Sequence, residues 1–238
     1  MLRECTLEDI SDGRVYGLND MVKADTGSCQ GCHKCCTGMG SSIVLDPYDV
    51  WQLKLGLGKS FQELLNDGRI ELNMVDGLIL PNIRMGEGDR CTFLDAEGRC
   101  SIHKNRPGIC RIFPLGRVYS DDGFQYFIQK DECVKANRAK VKVRKWIDTD
   151  NVEENQKFIA DWHSFIRSVG NGMIKLRDSG RGEQINDIVM YVLNTFFVSD
   201  IVDKDDSDAA VDSGMVYKLI EDKVAVAKDI IGGTYGII

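Results

Sequence analysis

The sequence predicts an α+β protein: a small cysteine-rich, metal-binding domain of short hairpins and helices over residues 1–140, then a helical region over residues 141–238 that could pack on the first as one unit. Three observations predict it. Eight of the nine cysteines (5, 29, 32, 35, 36, 91, 100, 110 and 133) fall between residues 29 and 133, and none lies in the last 105 positions. Asp-Gly pairs punctuate strand-like runs in the middle of the chain, the favoured chemistry of tight hairpin turns. Beyond residue 150, apolar residues recur at helical spacing.

Composition bounds the function. With 238 residues, 43% hydrophobic and 28% charged, the chain can bury a core and is not disordered or fibrous. A net charge of −7 argues against nucleic acid as the partner of the whole protein, because phosphates are bound by neutralising them with Lys and Arg. The amino-terminal MLRECTLEDISDG lacks the apolar stretch of a signal peptide, and no run of 18 apolar residues occurs. The expectation is a cytoplasmic protein that does not enter a membrane, in which reduced thiols ligate metal and do not pair as disulfides.

In chain order, residues 1–28 form a polar lead-in with a short strand among Val15, Tyr16, Leu18, Met21 and Val22. SCQGCHKCCTGMGSS follows, too polar and glycine-rich to pack as core and suited to a loop wrapping a metal. Asp46, ahead of Pro47, caps a helix that places Val50, Leu53 and Leu57 on one face. Ser60 caps a second helix, ended by Asp67-Gly68. Hairpins are predicted about Asp76-Gly77, about the Asp95–Gly98 turn that brings Cys91 and Cys100 together, and about Asp122-Gly123. From Val134 the reading is helix, first through the basic stretch KANRAKVKVRKW, a solvated face or a surface for an anionic partner. Two amphipathic helices run through Val152–Val169 and Ile185–Phe196; an acidic linker, SDIVDKDDSDAAVDSG, precedes a final helix from Gly214.

The chemistry lies in Cys29-x-x-Cys32-x-x-Cys35-Cys36, thiols spaced to converge in a glycine-containing turn. Cys35 and Cys36 are adjacent, and neighbouring side chains of an extended segment point to opposite sides. With Cys91, Cys100, Cys110 and Cys133, the expectation is eight ligands shared as two four-thiolate sites. A zinc ribbon would show a second C-x-x-C, whereas the later spacings are eight, nine and twenty-two intervening residues. The ferredoxin pattern also departs, since the next cysteine follows at once and Thr37, not proline, comes after it. Arg111, beside a thiolate-rich site, is a candidate to offset negative charge and donate to sulfur. His33 and His103 lie close enough in sequence to ligate or to hydrogen-bond a ligand, while His163 reads as structural and Cys5 as incidental. No phosphate loop, nucleophile elbow or H-E-x-x-H helix is present.

The ordered set C-x-x-C-x-x-C-C, Cys91-Thr-Phe-Leu, Gly98-Arg-Cys100-Ser-Ile-His103 and Arg106-Pro107-Gly-Ile-Cys110-Arg111-Ile-Phe113-Pro114 resembles the YkgJ-type cysteine cluster family over roughly residues 28–135. Its members are described as chelating zinc or iron, some being labelled Fe-S oxidoreductases. The resemblance implies a metal-binding protein. Iron-sulfur, as a 4Fe-4S cluster with a redox or electron-transfer role, is the first expectation. A structural zinc protein whose helical half recruits a protein partner is the second, and a protein-modifying enzyme similar to flagellin lysine N-methylases the third.

Overall fold

The computed structural model describes residues 6–27, 32–135, 137–202 and 211–238. Cys5, Cys29 and the central part of the acidic linker therefore lie outside the described residues.

A one-turn helix, α1 (Leu7–Ile10), opens the chain, and β1 (Met21–Asp25) follows. The next helix, α2 (Pro47–Leu57), is set by a reciprocal cap: Asp46 accepts the Asp49 amide at 2.8 Å and Asp49 accepts the Asp46 amide at 3.3 Å. Its inner face buries Val50 and Leu53. Ser60 caps α3 (Phe61–Asn66) by accepting the Glu63 amide. Just past it, Gly68 takes a left-handed conformation that glycine adopts without steric cost.

The first hairpin is β2 (Ile70–Val75) and β3 (Leu78–Ile83). Both turn residues, Asp76 (φ 48°) and Gly77 (φ 90°), have the positive φ that a two-residue turn matching the strand twist requires. After the cysteine-bearing turns and α4 (Gly108–Ile112) comes the second hairpin, β4 (Leu115–Ser120) and β5 (Gly123–Ile128). Trp146 holds the end of α4 by donating its indole N–H to the carbonyls of Ile112 and Phe113, each at 3.2 Å.

The basic stretch is not a helix throughout. Residues Ala139–Lys142 form β6, antiparallel to β1, and only then does α5 (Val143–Ile147) begin. Lys140-Val141-Lys142-Val143 alternates with a period of two, turning Val143 fully inward and both lysines out. The partner strand more than a hundred residues earlier supplies the ladder. Local helix propensity loses to that pairing.

The second half contains α6 (Val152–Asp178), α7 (Gln184–Leu193), which runs into a π-helical turn at Asn194–Val198, and α8 (Ser213–Tyr235), capped by Asp212 on the Met215 amide at 2.9 Å. Phe158, Trp162 and Phe165 on α6 pack on Phe196, Phe197 and Tyr217; the Trp162 and Phe196 rings meet edge-on with centroids 5.0 Å apart. Burying each such ring contributes on the order of 2 kcal/mol. The rings of Tyr48 on α2 and Tyr217 on α8 have centroids 4.6 Å apart, with Gln52 donating to the Tyr48 hydroxyl and Asn155 to the Tyr217 hydroxyl. One continuous buried cluster thus includes Val22, Leu53, Leu80 and Ile112 as well as Phe165 and Tyr217. Among the described residues no helix is long and apolar enough to cross a membrane.

Candidate metal centre

The cysteine loop is fixed by backbone bonds. Residues Lys34–Cys36 form a single 3-10 turn, in which Cys36 donates its amide to the His33 carbonyl at 2.9 Å. The Cys36 carbonyl then accepts the Cys91 amide at 2.8 Å, and Gly38 donates to the Asp89 carbonyl at 2.8 Å. Two thiol-bearing segments, 55 residues apart in sequence, are thereby clamped edge to edge.

Cys91 and Cys100 sit in twin turns. In Cys91-Thr-Phe-Leu94 and Cys100-Ser-Ile-His103, the fourth amide donates to the cysteine carbonyl, at 3.1 and 3.3 Å, and the third amide points at the cysteine sulfur. The third side chain, Phe93 or Ile102, is buried and anchors the turn. The expected hairpin between these cysteines is reduced to a Leu94–Cys100 bridge with a tight turn, in which Asp95 accepts the Arg99 amide at 2.7 Å and Gly98 has φ 73°. A Cβ at Gly98 would stand 2.9 Å from Nδ1 of His33, so glycine there also makes room for that ring.

Cys110 lies on α4, whose first amide, on Gly108, donates to the Asp49 carboxylate at 2.8 Å. Asp49 is 5% exposed, and burial raises its pKa from 3.8 to about 6, against the opposing charges of Arg117 and Arg111. Asp46 is shifted the same way, first by burial and then by Asp49. Sequence reasoning saw Asp46 as a cap and missed its partner. The signal was the D-P-x-D spacing, which puts a second carboxylate on the same helix entrance.

Five thiols bear on one another here: Cys35, Cys36, Cys91, Cys100 and Cys110. Adjacent Cys35 and Cys36 do not point apart as an extended segment would require; the 3-10 turn brings their sulfurs to 3.9 Å. The Cys35 thiol is pulled down to about 7 by the hydrogen bond from Cys36, helped by its own amide and by the charge of Arg106. Cys36 is pushed up by that same bond, then by burial and by the neighbouring thiols. Burial raises Cys91, Cys100 and Cys110, the last also through the negative charge of Asp49. One thiol of the set, Cys35, is thus favoured to ionise, and its negative charge disfavours ionisation of the others.

The donor chemistry fits a thiophilic metal, since soft thiolates are the ligands of zinc and iron-sulfur centres. Among the described residues no three Cys, His, Asp or Glu side chains close into a cage for an ion. The residues that would hold a metal are thus gathered without being locked. Cys32 begins a described segment and Cys133 follows β5; both are partly buried.

The charged groups around the thiols differ in role. Arg111 donates to the backbone carbonyls of Lys104 and Asp148. The guanidinium whose charge reaches Cys35 and Cys100 is that of Arg106, which also contacts Nε2 of His103 at 2.7 Å. Burial and these two arginines lower the His103 pKa, so its ring is neutral and accepts from Arg106. His163 stacks on Tyr119, centroids 3.5 Å apart, in the groove between α6 and the β4–β5 turn.

No curated protein and no solved structure matches the chain. Residues 28–150, just over half of it, match the family model CxxCxxCC, described as a putative zinc- or iron-chelating domain. The match starts beside the thiol loop and runs through Cys133, β6 and α5, so it takes in all eight clustered cysteines. With five of those thiols drawn together by backbone clamps and twin turns, the chain is a metal-binding cysteine cluster protein and belongs to the CxxCxxCC family.

Proposed function

We propose that the thiol set holds an iron-sulfur cluster, of the 4Fe-4S type, and that the protein serves a redox or electron-transfer role. The observation that carries this reading is that Cys35, Cys36, Cys91, Cys100 and Cys110 lie near enough to feel one another's charge, with the amides of Phe93 and Ile102 aimed at two of the sulfurs. A bound cluster supplies one-electron chemistry. The chain's contribution is its thiolates, the amide donors that stabilise charge on sulfur, and the Arg106 guanidinium beside Cys35 and Cys100. The thiols are partly buried, which limits the access of water. The same reading places the protein in the reducing cytoplasm. Anaerobic purification followed by iron, sulfide and zinc analysis and an electronic spectrum tests it: a brown protein with broad absorbance near ~400 nm, bleached by dithionite, is expected. A colourless protein with stoichiometric zinc would overturn it.

A structural zinc centre is the second reading, supported by the twin turns of Cys91 and Cys100. A sulfur accepting the amide two residues on suits a tetrahedral thiolate site equally well. In this reading the helical half recruits a protein partner, with Val226 (55% exposed) and Ile230 (42% exposed) one turn apart on α8 as the apolar contact. Chelation would then unfold the first half, and no redox signal would accompany it.

A further inference from the structure

We infer that the outer edge of β6, with the lysine face of the β1–β6 ribbon, is a docking strand for an acidic, extended segment of a partner protein. Among the described residues the ribbon has two strands, and β6 is paired on one side. Val143 donates its amide to the Asp20 carbonyl at 3.0 Å, so Asp20 and Val143 sit at a hydrogen-bonding position of the ladder, the Asp20 amide itself going to the Gly17 carbonyl at 3.1 Å. By antiparallel alternation the next such pair is Val22 with Val141. Lys140 and Lys142 therefore occupy the alternate positions, where the Lys140 N–H and C=O and the Lys142 N–H turn away from β1.

The side chains add charge to that edge. Lys23 stands directly opposite Lys140, and Met21, 49% exposed, opposite Lys142. Like charges facing each other across a ladder are unfavourable. Among the described residues none of these lysines enters an ion pair. The acidic residues nearest in sequence are engaged elsewhere: Asp20 accepts the Gly17 amide at 2.7 Å and Asp25 the Gly27 amide at 2.8 Å. In a chain of net charge −7 this is a local excess of positive charge on unpaired backbone. A second copy of β6 is repelled by its own lysines. An incoming strand with carboxylates at alternate positions meets both features at once, backbone to backbone and carboxylate to ammonium.

The test uses the full chain and a fluorescein-labelled, end-blocked peptide of alternating Glu and Thr, read by anisotropy. Binding should weaken as salt rises. Lys140→Glu combined with Lys142→Glu should weaken it at least about tenfold. The discriminating pair is Lys142→Gln and Lys142→Pro, which remove the same charge. Lys142 has φ −64°, the angle proline imposes, and its N–H points outward, so proline deletes a docking donor and no bond to β1. Strand addition requires Lys142→Pro to bind about 3–10-fold more weakly than Lys142→Gln, with unchanged circular dichroism confirming that both fold. Equal affinities for the two variants, no peptide binding, or tighter binding of a single-stranded oligonucleotide or of anionic vesicles would each overturn the proposal.

Discussion

The Asp49 carboxylate accepts the Gly108 amide at 2.8 Å, joining the entrance of α2 to the first residue of α4, the short helix that presents Cys110. Fifty-nine residues separate the two. The cysteine is placed by this bond more than by the five-residue helix itself, since so short a helix has no stability of its own.

Asp49→Ala should therefore leave the Gly108 amide buried without an acceptor and cost about 1–2 kcal/mol. Asp49→Asn keeps an acceptor there. It should also change the pH dependence of stability. Burial raises the Asp49 pKa from 3.8 to about 6, so the folded state holds this proton more tightly than the unfolded chain. Stability from this group rises as pH falls through about 6 and is complete below 3.8. Denaturant unfolding of the chelator-treated protein at pH 7.5 and 5, parent against Asp49→Asn, measures it. The parent should gain relative to the variant at the lower pH; equal responses would refute the linkage.

Cys35 should be the first thiol to react in the metal-free protein. Its pKa, lowered to about 7 by Cys36, its own amide and Arg106, leaves it substantially ionised at neutral pH. Burial and neighbouring thiols hold Cys36, Cys91, Cys100 and Cys110 protonated. Because the Cys35 shift is downward from 9.0, the stability it contributes is present above pH 9 and is lost as pH falls through about 7. Iodoacetamide labelling read by mass spectrometry across pH 5–9 should give a Cys35 midpoint near 7, and Arg106→Gln should move that midpoint up. A midpoint at the ordinary thiol value would count against the arrangement.

Much of the fold was legible because its signals are local. Asp46 and Ser60 announce their helices, and Asp76-Gly77 and Asp122-Gly123 their hairpins, since each acts within a few residues. The β6 strand was misread because its helix-like composition is overruled by β1, a partner no local rule can see. Cys35 and Cys36 were misplaced for the converse reason: the adjacent pair was treated as extended, yet the local 3-10 turn brings the sulfurs to the same side. The five cysteines that lie near one another in the fold are among the eight that their clustering in the sequence singles out. Asp49 and Arg106 could not be singled out in that way, because their importance lies in contacts with Gly108, Cys35 and Cys100 that only the folded chain creates.

Single Cys→Ser changes at Cys35, Cys91, Cys100 and Cys110 should each lower bound metal by about tenfold or more, since each removes a thiolate from the gathered set. Cys133→Ser should be milder, because that thiol follows β5, outside the backbone-clamped turns and the α4 helix that carry the other five. Metal analysis by plasma mass spectrometry on proteins of matched helix content checks the ranking. Full loss of metal from Cys133→Ser would return that cysteine to the primary ligand set.

Gly170 of α6 is where the first half leans on the second. A Cβ there would stand 2.2 Å from the carbonyl oxygen of Asp76, at the tip of the β2–β3 hairpin. The obstacle is backbone, so no side chain can rotate away, and either the hairpin or the helix must shift. Gly170→Ala should consequently destabilise the protein by about 1–3 kcal/mol through overpacking, more than offsetting alanine's better helix propensity of about 1 kcal/mol. The damage should be local to the hairpin. Hydrogen exchange should show faster exchange at Leu78 and Leu80 with little change at Phe165, because α6 itself gains helix propensity while its contact with the turn is forced open. Unchanged stability would mean that the hairpin is not seated on the helix at this glycine.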